Sequence, residues 1–163
     1  MKFFDIQIHS ISDSKLIEKL EQIACASQSA LITYVNVHVL NLAYSNPKLT
    51  SILQSSTFII NDSGGLSLLS KFRGEFLRKH TLTDLKDVFF NVFQKHNKSV
   101  YFLGNEEHVL EKLLKNVSKE YPHLKIAGSH HGFFPISGKD NELIREDILK
   151  SNADIVMVGM GVP

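Results

Sequence analysis

The stretch Phe58-Ile59-Ile60-Asn61-Asp62-Ser63-Gly64-Gly65-Leu66 holds the residues best suited to chemistry in this chain. Its pattern predicts a buried strand that stops at a carboxylate, with two glycines opening a helix behind it. Ligands of open α/β folds collect beyond the carboxyl ends of parallel strands, and glycine lets a ligand approach the backbone closely. Asp62 at that junction reads as a general base within reach of a substrate hydroxyl. It reads equally as a helix N-cap, its carboxylate accepting backbone N–H bonds. The two roles conflict, because a helix N-terminus stabilises the anion and weakens the base.

Asn36 and His38 close a second apolar run, Thr33-Tyr34-Val35-Asn36-Val37-His38. In a parallel sheet that run ends at the same edge as Asp62. An Asn amide both donates and accepts, so Asn36 can hold a sugar hydroxyl or tie down its own turn. Lys71, Arg73, Arg78, Lys79 and His80 read as a pyrophosphate contact or as a solvated loop. Gly104, and Gly159 with Gly161, end their runs in small residues that suit backbone N–H contacts to a phosphate. His130-His131-Gly132 follows another strand on that edge. No His-Glu-x-x-His or Cys/His spacing accompanies the eight histidines, so no metal site is expected.

Other chemistries find no support. A single Asp-Ser-Gly in a helix-rich chain does not make the paired carboxylates of an aspartic protease. Gly-x-Ser-x-Gly is absent, and the lone Cys25 falls within a helix. An NAD-binding unit calls for an early glycine fingerprint and an acid about 20 residues on, and neither follows Phe3–Ile8.

The elements that must position these groups alternate between strand and helix. Phe3–Ile8 reads as a first strand, and Ser12 or Asp13 as the cap of a helix carrying Leu16, Ile17, Leu20 and Ile23. Ala30–Val37 has buried-strand character, a short helix lies around Leu40–Ala43, and Asn46-Pro47 starts another. Thr83 is placed to cap a helix bearing Leu85, Val88, Phe89, Val92 and Phe93. Ser99–Leu103 is a strand closed by Gly104, and a helix from Glu106 to Tyr121 follows. Leu124–Ala127 reads as a strand ending at Gly128. A helix through Leu143, Ile144, Ile148 and Leu149 leads to a strand over Ala153–Val158. These repeats imply one α/β, Rossmann-like domain over residues 1–163, mainly a parallel sheet with helices on both faces.

Size and composition agree with that reading. A chain of 163 residues buries roughly 70% of its unfolded surface on folding. A formal charge of +1 argues against a dedicated nucleic-acid binder. No stretch approaches the roughly 18 apolar residues of a membrane helix, and a single cysteine suits a reducing compartment. A soluble, cytoplasmic protein is expected. Gly159-Met160-Gly161-Val162-Pro163 stands where a loop should deliver the next helix, so a further molecule over that sheet edge, or a longer protein, is also expected.

The motifs, taken in order, resemble the WecG/TagA/CpsF glycosyltransferase family, whose members include bacterial N-acetylmannosaminyltransferases of cell-surface polymer synthesis. Tyr34-Val35-Asn36-Val37-His38-Val39-Leu40-Asn41-Leu42-Ala43 is similar to its Asn-containing strand exit, and Ile60-Asn61-Asp62-Ser63-Gly64-Gly65 to its Asp-Gly-x-Gly block. Lys79-His80-Thr81 with Asp84 is similar to its Arg-x-Thr…Asp segment. Val100–Gly104, Gly128–Phe134 and Ala153–Pro163 match its second half.

The resemblance implies a UDP-linked N-acetylhexosamine donor, typically N-acetylmannosamine. It implies an N-acetylglucosamine acceptor on a polyprenyl pyrophosphate, met by peripheral contact at the inner face of the cell membrane. It implies inverting transfer without metal or other cofactor, and a homo-oligomer. Asp62 would be the base and Asn36 a sugar contact. His38, Gly64, Gly65, Lys79, Thr81, Gly104, His131, Gly159 and Gly161 would join Asn36 in binding substrate, the second-half glycines bordering the nucleotide. Ser63 and Asn105 depart from family glycines, and Lys79 from an arginine whose bidentate contact a lysine cannot reproduce. The family continues past the position of Pro163, so a nucleotide-sugar-binding or inactive truncated remnant is the alternative reading.

Overall fold

The computed structural model describes residues 1–26 and 28–161, and Val162 and Pro163 of the last sequence block lie outside them. Two compact units divide the chain, Met1–Phe89 and the part from Phe90 onward.

The first unit opens with β1 (Lys2–Phe3) and β2 (Ile6–Gln7), paired antiparallel. This hairpin replaces the single strand expected over Phe3–Ile8. Its cause is local: Phe4 and Asp5 both sit in the left-handed region, with φ of 46° and 62°, and two such residues reverse a chain tightly. His9 then pairs in parallel beside Ile60. α1 (Asp13–Cys25) starts at Ser12, whose hydroxyl accepts from the Lys15 N–H. β3 (Ile32–Val35), α2 (Val37–Ser45), α3 (Pro47–Ser55), β4 (Phe58–Asn61) and α4 (Gly64–Phe72) follow. β3 and β4 run parallel, in a register from Ile32↔Phe58 to Val35↔Asn61. One face of this sheet carries Val35 and Ile59 into a core with Ile6, Ile8, Leu40, Leu53, Leu66 and Leu77.

α5 (Leu82–Lys95) begins one residue before the expected cap at Thr83. Thr81 and Asp84 exchange reciprocal bonds there, the Asp84 N–H donating to Thr81 Oγ1 at 3.1 Å and the Thr81 N–H to Asp84 Oδ2 at 3.2 Å. Such a capping box satisfies two otherwise orphaned donors, which Thr83 cannot match. The division between the units falls within α5.

The second unit has β5 (Ser99–Gly104) between β6 (Lys125–His130) and β7 (Ile155–Gly159), all parallel, with α6 (Glu107–Glu120) and α7 (Lys139–Lys150). Phe90 packs its ring against Phe93, Phe102 and Tyr121 at 6.4, 6.2 and 4.8 Å between centroids. β6 runs on to His130 instead of stopping at Gly128. A Cβ at Gly128 would stand 2.7 Å from the Tyr101 ring, so this glycine makes room for Tyr101 rather than ending a strand. The register shifts beside Tyr101, and the Tyr101 hydroxyl donates to Asp147 on α7 at 2.6 Å. Burial, the Asp147 bond and its charge together raise the Tyr101 pKa above the usual tyrosine range.

The expected class, parallel α/β with flanking helices, is the one the chain adopts. Its parallel strands form two sheets, one in each unit, beside the separate antiparallel pair β1-β2, and no ladder among the described residues joins these sheets into one.

Candidate functional site

In the first unit, the pairing of Val35 with Asn61 carries the chain straight to Asn36 and Asp62. These residues therefore leave neighbouring parallel strands side by side, and the Asp62 N–H donates to the Val35 carbonyl at 2.8 Å. Asn36 caps α2, its Oδ1 accepting from the Val39 N–H at 2.9 Å. The turn-tying reading of Asn36 is thus realised in its oxygen, while its Nδ2 has no hydrogen-bond partner among the described residues. His38 lies exposed in the first turn of α2.

Asp62 does not cap α4. Ser63 does, its hydroxyl accepting from the Leu66 N–H at 3.3 Å. The serine that departs from the family pattern thereby takes the capping role, and the half-buried Asp62 carboxylate accepts no hydrogen bond from the described residues.

Asn61 is the residue that sequence reasoning missed. It is fully buried, and its amide N–H groups are shared among Ser67 Oγ at 2.9 Å, the Ser63 carbonyl at 3.1 Å and the Arg78 carbonyl at 3.2 Å. Its Oδ1 accepts from the Ser63 N–H at 3.0 Å, and its own carbonyl from the His80 N–H at 2.8 Å. One side chain therefore pins the Asp62–Ser63 turn to the segment that delivers Lys79 and Thr81. The signal was available: Asn61 takes the core-facing register of Ile59, where a polar group must find internal partners.

Tyr34 pairs with Ile60. Its hydroxyl is buried without a hydrogen-bond partner, an arrangement that costs about 1–3 kcal/mol. Burial first, and the Asp62 charge second, raise its pKa above the usual tyrosine range. Gly65 brings the first turns of α2 and α4 together, since a Cβ there would meet Val37 Cγ2 at 3.3 Å. At Gly64 a Cβ would enter open space.

The basic stretch is mostly engaged elsewhere. Arg78 binds Asp13 at 2.8 Å. His80 is buried, with Nδ1 3.5 Å from Asp13 and Nε2 3.1 Å from the Ile11 carbonyl. Arg73 lies 5.7 Å over the Phe3 ring. Lys71 and Lys79 are exposed and form no ion pair among the described residues. Thr81 is occupied in the α5 capping box.

The second unit holds an open cleft of about 500 Å³ over the β5 and β7 exits, lined among others by Asn105, His108, Gly132, Phe133, Gly159 and Gly161. The backbone packed against it requires glycine, at Gly104 beside the lining and at Gly132 within it. Gly104 has φ of 138°, and a Cβ on it would meet the Gly159 carbonyl oxygen at 2.4 Å. A Cβ on Gly132 would stand 3.0 Å from Gly104 Cα. α6 starts at this cleft from Glu106, whose side chain makes no capping bond, and an uncapped N-terminus suits an anion. Glu106, His108 and Phe133 were not singled out as site residues from the sequence, and Asn105 only as a departure from a family glycine; an Asn directly before the expected helix start at Glu106 reads as a cap, so the uncapped start was not legible. His131 is tied into its own turn, Nδ1 accepting from the Phe133 N–H at 3.3 Å, and it does not line the cleft.

Among the described residues no group of three or more His, Cys, Asp or Glu side chains is placed to hold a metal ion. No helix there is long and apolar enough to cross a membrane.

Fold and site define a parallel α/β protein with its polar groups gathered where strands end, the place such folds keep for ligands. The chain belongs to the glycosyl transferase WecG/TagA/CpsF family, whose sequence model matches residues 1–163. It is similar to the N-acetylglucosaminyldiphosphoundecaprenol N-acetyl-beta-D-mannosaminyltransferase of Bacillus subtilis (strain 168), 28% identical over 135 residues, 82% of this chain and 51% of that one. The enzyme of the same name from Bacillus spizizenii is 28% identical over 138 residues, 84% and 52% of the two chains. The UDP-Gal:alpha-D-GlcNAc-diphosphoundecaprenol beta-1,4-galactosyltransferase of Shigella boydii is 24% identical over 137 residues, 83% and 56%. The chain spans about half the length of these curated relatives.

Proposed function

We propose that this chain is the catalytic portion of a glycosyltransferase that moves a sugar, N-acetylmannosamine in the leading reading, from UDP to N-acetylglucosamine on a polyprenyl diphosphate. Family membership supports glycosyl transfer. The relatives' names differ in the sugar moved but share the N-acetylglucosaminyl-diphosphoundecaprenol acceptor, which supports that acceptor here. Both names give β-linked products. One displacement on an α-linked UDP-sugar yields that outcome with inversion.

The observation that carries the mechanism is the state of Asp62. Ser63 takes the cap, so the carboxylate at the strand exit keeps its lone pairs for a substrate. In the step, the acceptor hydroxyl gives its proton to Asp62 while its oxygen bonds to the sugar C1. The C1–O bond to the diphosphate breaks, and its electron pair leaves with UDP. Asn36 Nδ2 and Lys79 are the donors suited to acceptor oxygens. Taken by itself, the cleft of the second unit, with Gly132 and Gly159 in its lining and the uncapped α6 start, suits a diphosphate. No step in this scheme uses a metal.

Asp62→Asn tests it. The amide cannot take a proton, so transfer from UDP-N-acetylmannosamine to a lipid-diphosphate N-acetylglucosamine should fall about 100-fold or more. Melting should hardly change, because the carboxylate supports no hydrogen bond in the fold. Equal transfer by both proteins would remove Asp62 from the role of base.

A further inference from the structure

The Tyr34 hydroxyl is buried without a hydrogen-bond partner. Phenylalanine would pack the same ring without leaving a buried donor unsatisfied, so the hydroxyl calls for an explanation. The register of β3 on β4 supplies its surroundings. Val35 lies opposite Asn61 and Tyr34 opposite Ile60. Val35 and Ile59 face the core of the first unit, and side chains alternate along a strand, so Tyr34 and Ile60 take the other face. The Asp62 N–H still donates to the Val35 carbonyl at 2.8 Å. The alternation therefore runs one residue past β4 and puts Asp62 on the face of Tyr34.

Diagonal neighbours on one face of a strand pair stand about 7–8 Å apart, within reach of an aromatic side chain. Burial first, and the Asp62 charge second, raise the Tyr34 pKa, which keeps the phenol protonated and a donor at neutral pH. A buried donor without an acceptor thus lies beside a half-buried carboxylate that accepts no bond from the described residues. We propose that Tyr34 is a positioning residue for Asp62, its hydroxyl donating to one carboxylate oxygen once substrate covers the strand exits.

The trigger is desolvation. Half-buried and unbonded, the Asp62 carboxylate has water as its partner in the free protein. An acceptor sugar over the strand exits removes that water, and a carboxylate deprived of it needs a donor. The next donors along the chain are committed: the Ser63 N–H to Asn61 Oδ1 at 3.0 Å, while Ser63 Oγ caps α4. A bond from Tyr34 to one oxygen fixes the plane of the carboxylate and leaves the other oxygen to meet the acceptor hydroxyl. It also favours the ionised form, so the base is still free of a proton when that hydroxyl arrives. Tyr34 keeps its own proton throughout. The inference rests on Asp62 as the base proposed above.

Tyr34→Phe tests it, because it removes the hydroxyl and keeps the ring. Melting should hold or rise, since the lost group has no partner in the fold. In transfer, kcat should fall about tenfold or more while KM stays within about twofold. In an Asp62→Asn background the same change should lower the rate no further. NMR titration of the Asp62 carboxyl, with a soluble N-acetylglucosaminyl diphosphate added, reads the bond without turnover. There the Asp62 pKa should stand higher in Tyr34→Phe than in the parent. Equal rates with equal Asp62 titrations overturn the proposal. So does a rise in KM at constant kcat, which would put the hydroxyl on substrate itself, and so does a loss that adds in full to that of Asp62→Asn. Equal transfer by the parent and Asp62→Asn counts against the base instead, and the carboxyl titration still decides whether Tyr34 holds Asp62.

Discussion

Removing the Asn61 side chain would leave the Ser63 N–H and the Arg78 carbonyl without their partners in a buried pocket. Each such orphan costs about 1–3 kcal/mol, so Asn61→Ala should lower stability by about 2–4 kcal/mol in urea unfolding. The same change frees the Asp62–Ser63 turn, and transfer should fall in kcat more than in KM. Asp62→Asn, by contrast, should spare stability and remove the rate. The two neighbouring residues thus separate placement of the base from its chemistry. A variant of Asn61 that kept both its stability and its rate would show that the Ser63 cap alone suffices to hold the turn.

At the scale of elements, two glycines expected at the site make opposite predictions. Gly64→Ala adds a Cβ to open space in the first turn of α4, so stability should hold or rise by about 0.5–1 kcal/mol. Any loss of transfer would then report a ligand that comes close to the backbone. Gly104→Ala forces a Cβ against the Gly159 carbonyl oxygen at 2.4 Å, at a φ of 138°. Backbone stands on both sides and cannot rotate away, so a loss of about 3 kcal/mol or more is expected in thermal melting.

The far ends of the same two strands are tied by Asp154, which accepts from Ser99 N and Ser99 Oγ at 2.8 Å each and from Lys98 at 3.1 Å. The Ser99 bonds, aided by Lys98, hold its pKa at about 2, below the usual 3.8. A carboxylate so depressed stabilises the fold fully above pH 4 and loses that contribution as pH falls toward 2. Its side chain is 38% exposed, and solvent screening limits the effect to about 1 kcal/mol or less. The melting gap between parent and Asp154→Asn should therefore close between pH 5 and pH 2. A gap that stays constant over that range would remove the carboxylate's charge from the tie.

Apolar runs made nearly every element legible in the sequence, because burial of a strand or helix face leaves its period in the residues. What escaped depended on single contacts. The Phe4-Asp5 reversal carries no Gly or Asn signal, and Gly128 resembled a strand end until the Tyr101 ring filled its space. Asp62 and Asn36 were legible as neighbours from parallel pairing alone. The Ser63 cap and the Asn61 knot needed the three-dimensional turn.

For the molecule as a whole, the relatives' names give the acceptor as the shared chemistry and the sugar as the variable one. Recognition of the donor should then rest chiefly on what all such donors share, the nucleotide diphosphate. The cleft at Gly132, Gly159 and the α6 start has backbone N–H groups and close glycine contacts, which suit a diphosphate and say little about the sugar. UDP alone should therefore bind. At about 100 times its dissociation constant it adds roughly 2.7 kcal/mol, a rise in Tm of roughly 5–10 °C for a chain of this length. UDP-N-acetylglucosamine and UDP-N-acetylmannosamine should differ from it only modestly, and NAD should give no shift. Hydrogen exchange should place the protection at residues 105–110 and around Gly132. Protection confined to residues 1–89 would move the nucleotide to the Asp62 side, where the two abutting helix starts at Val37 and Gly65 would have to receive it instead.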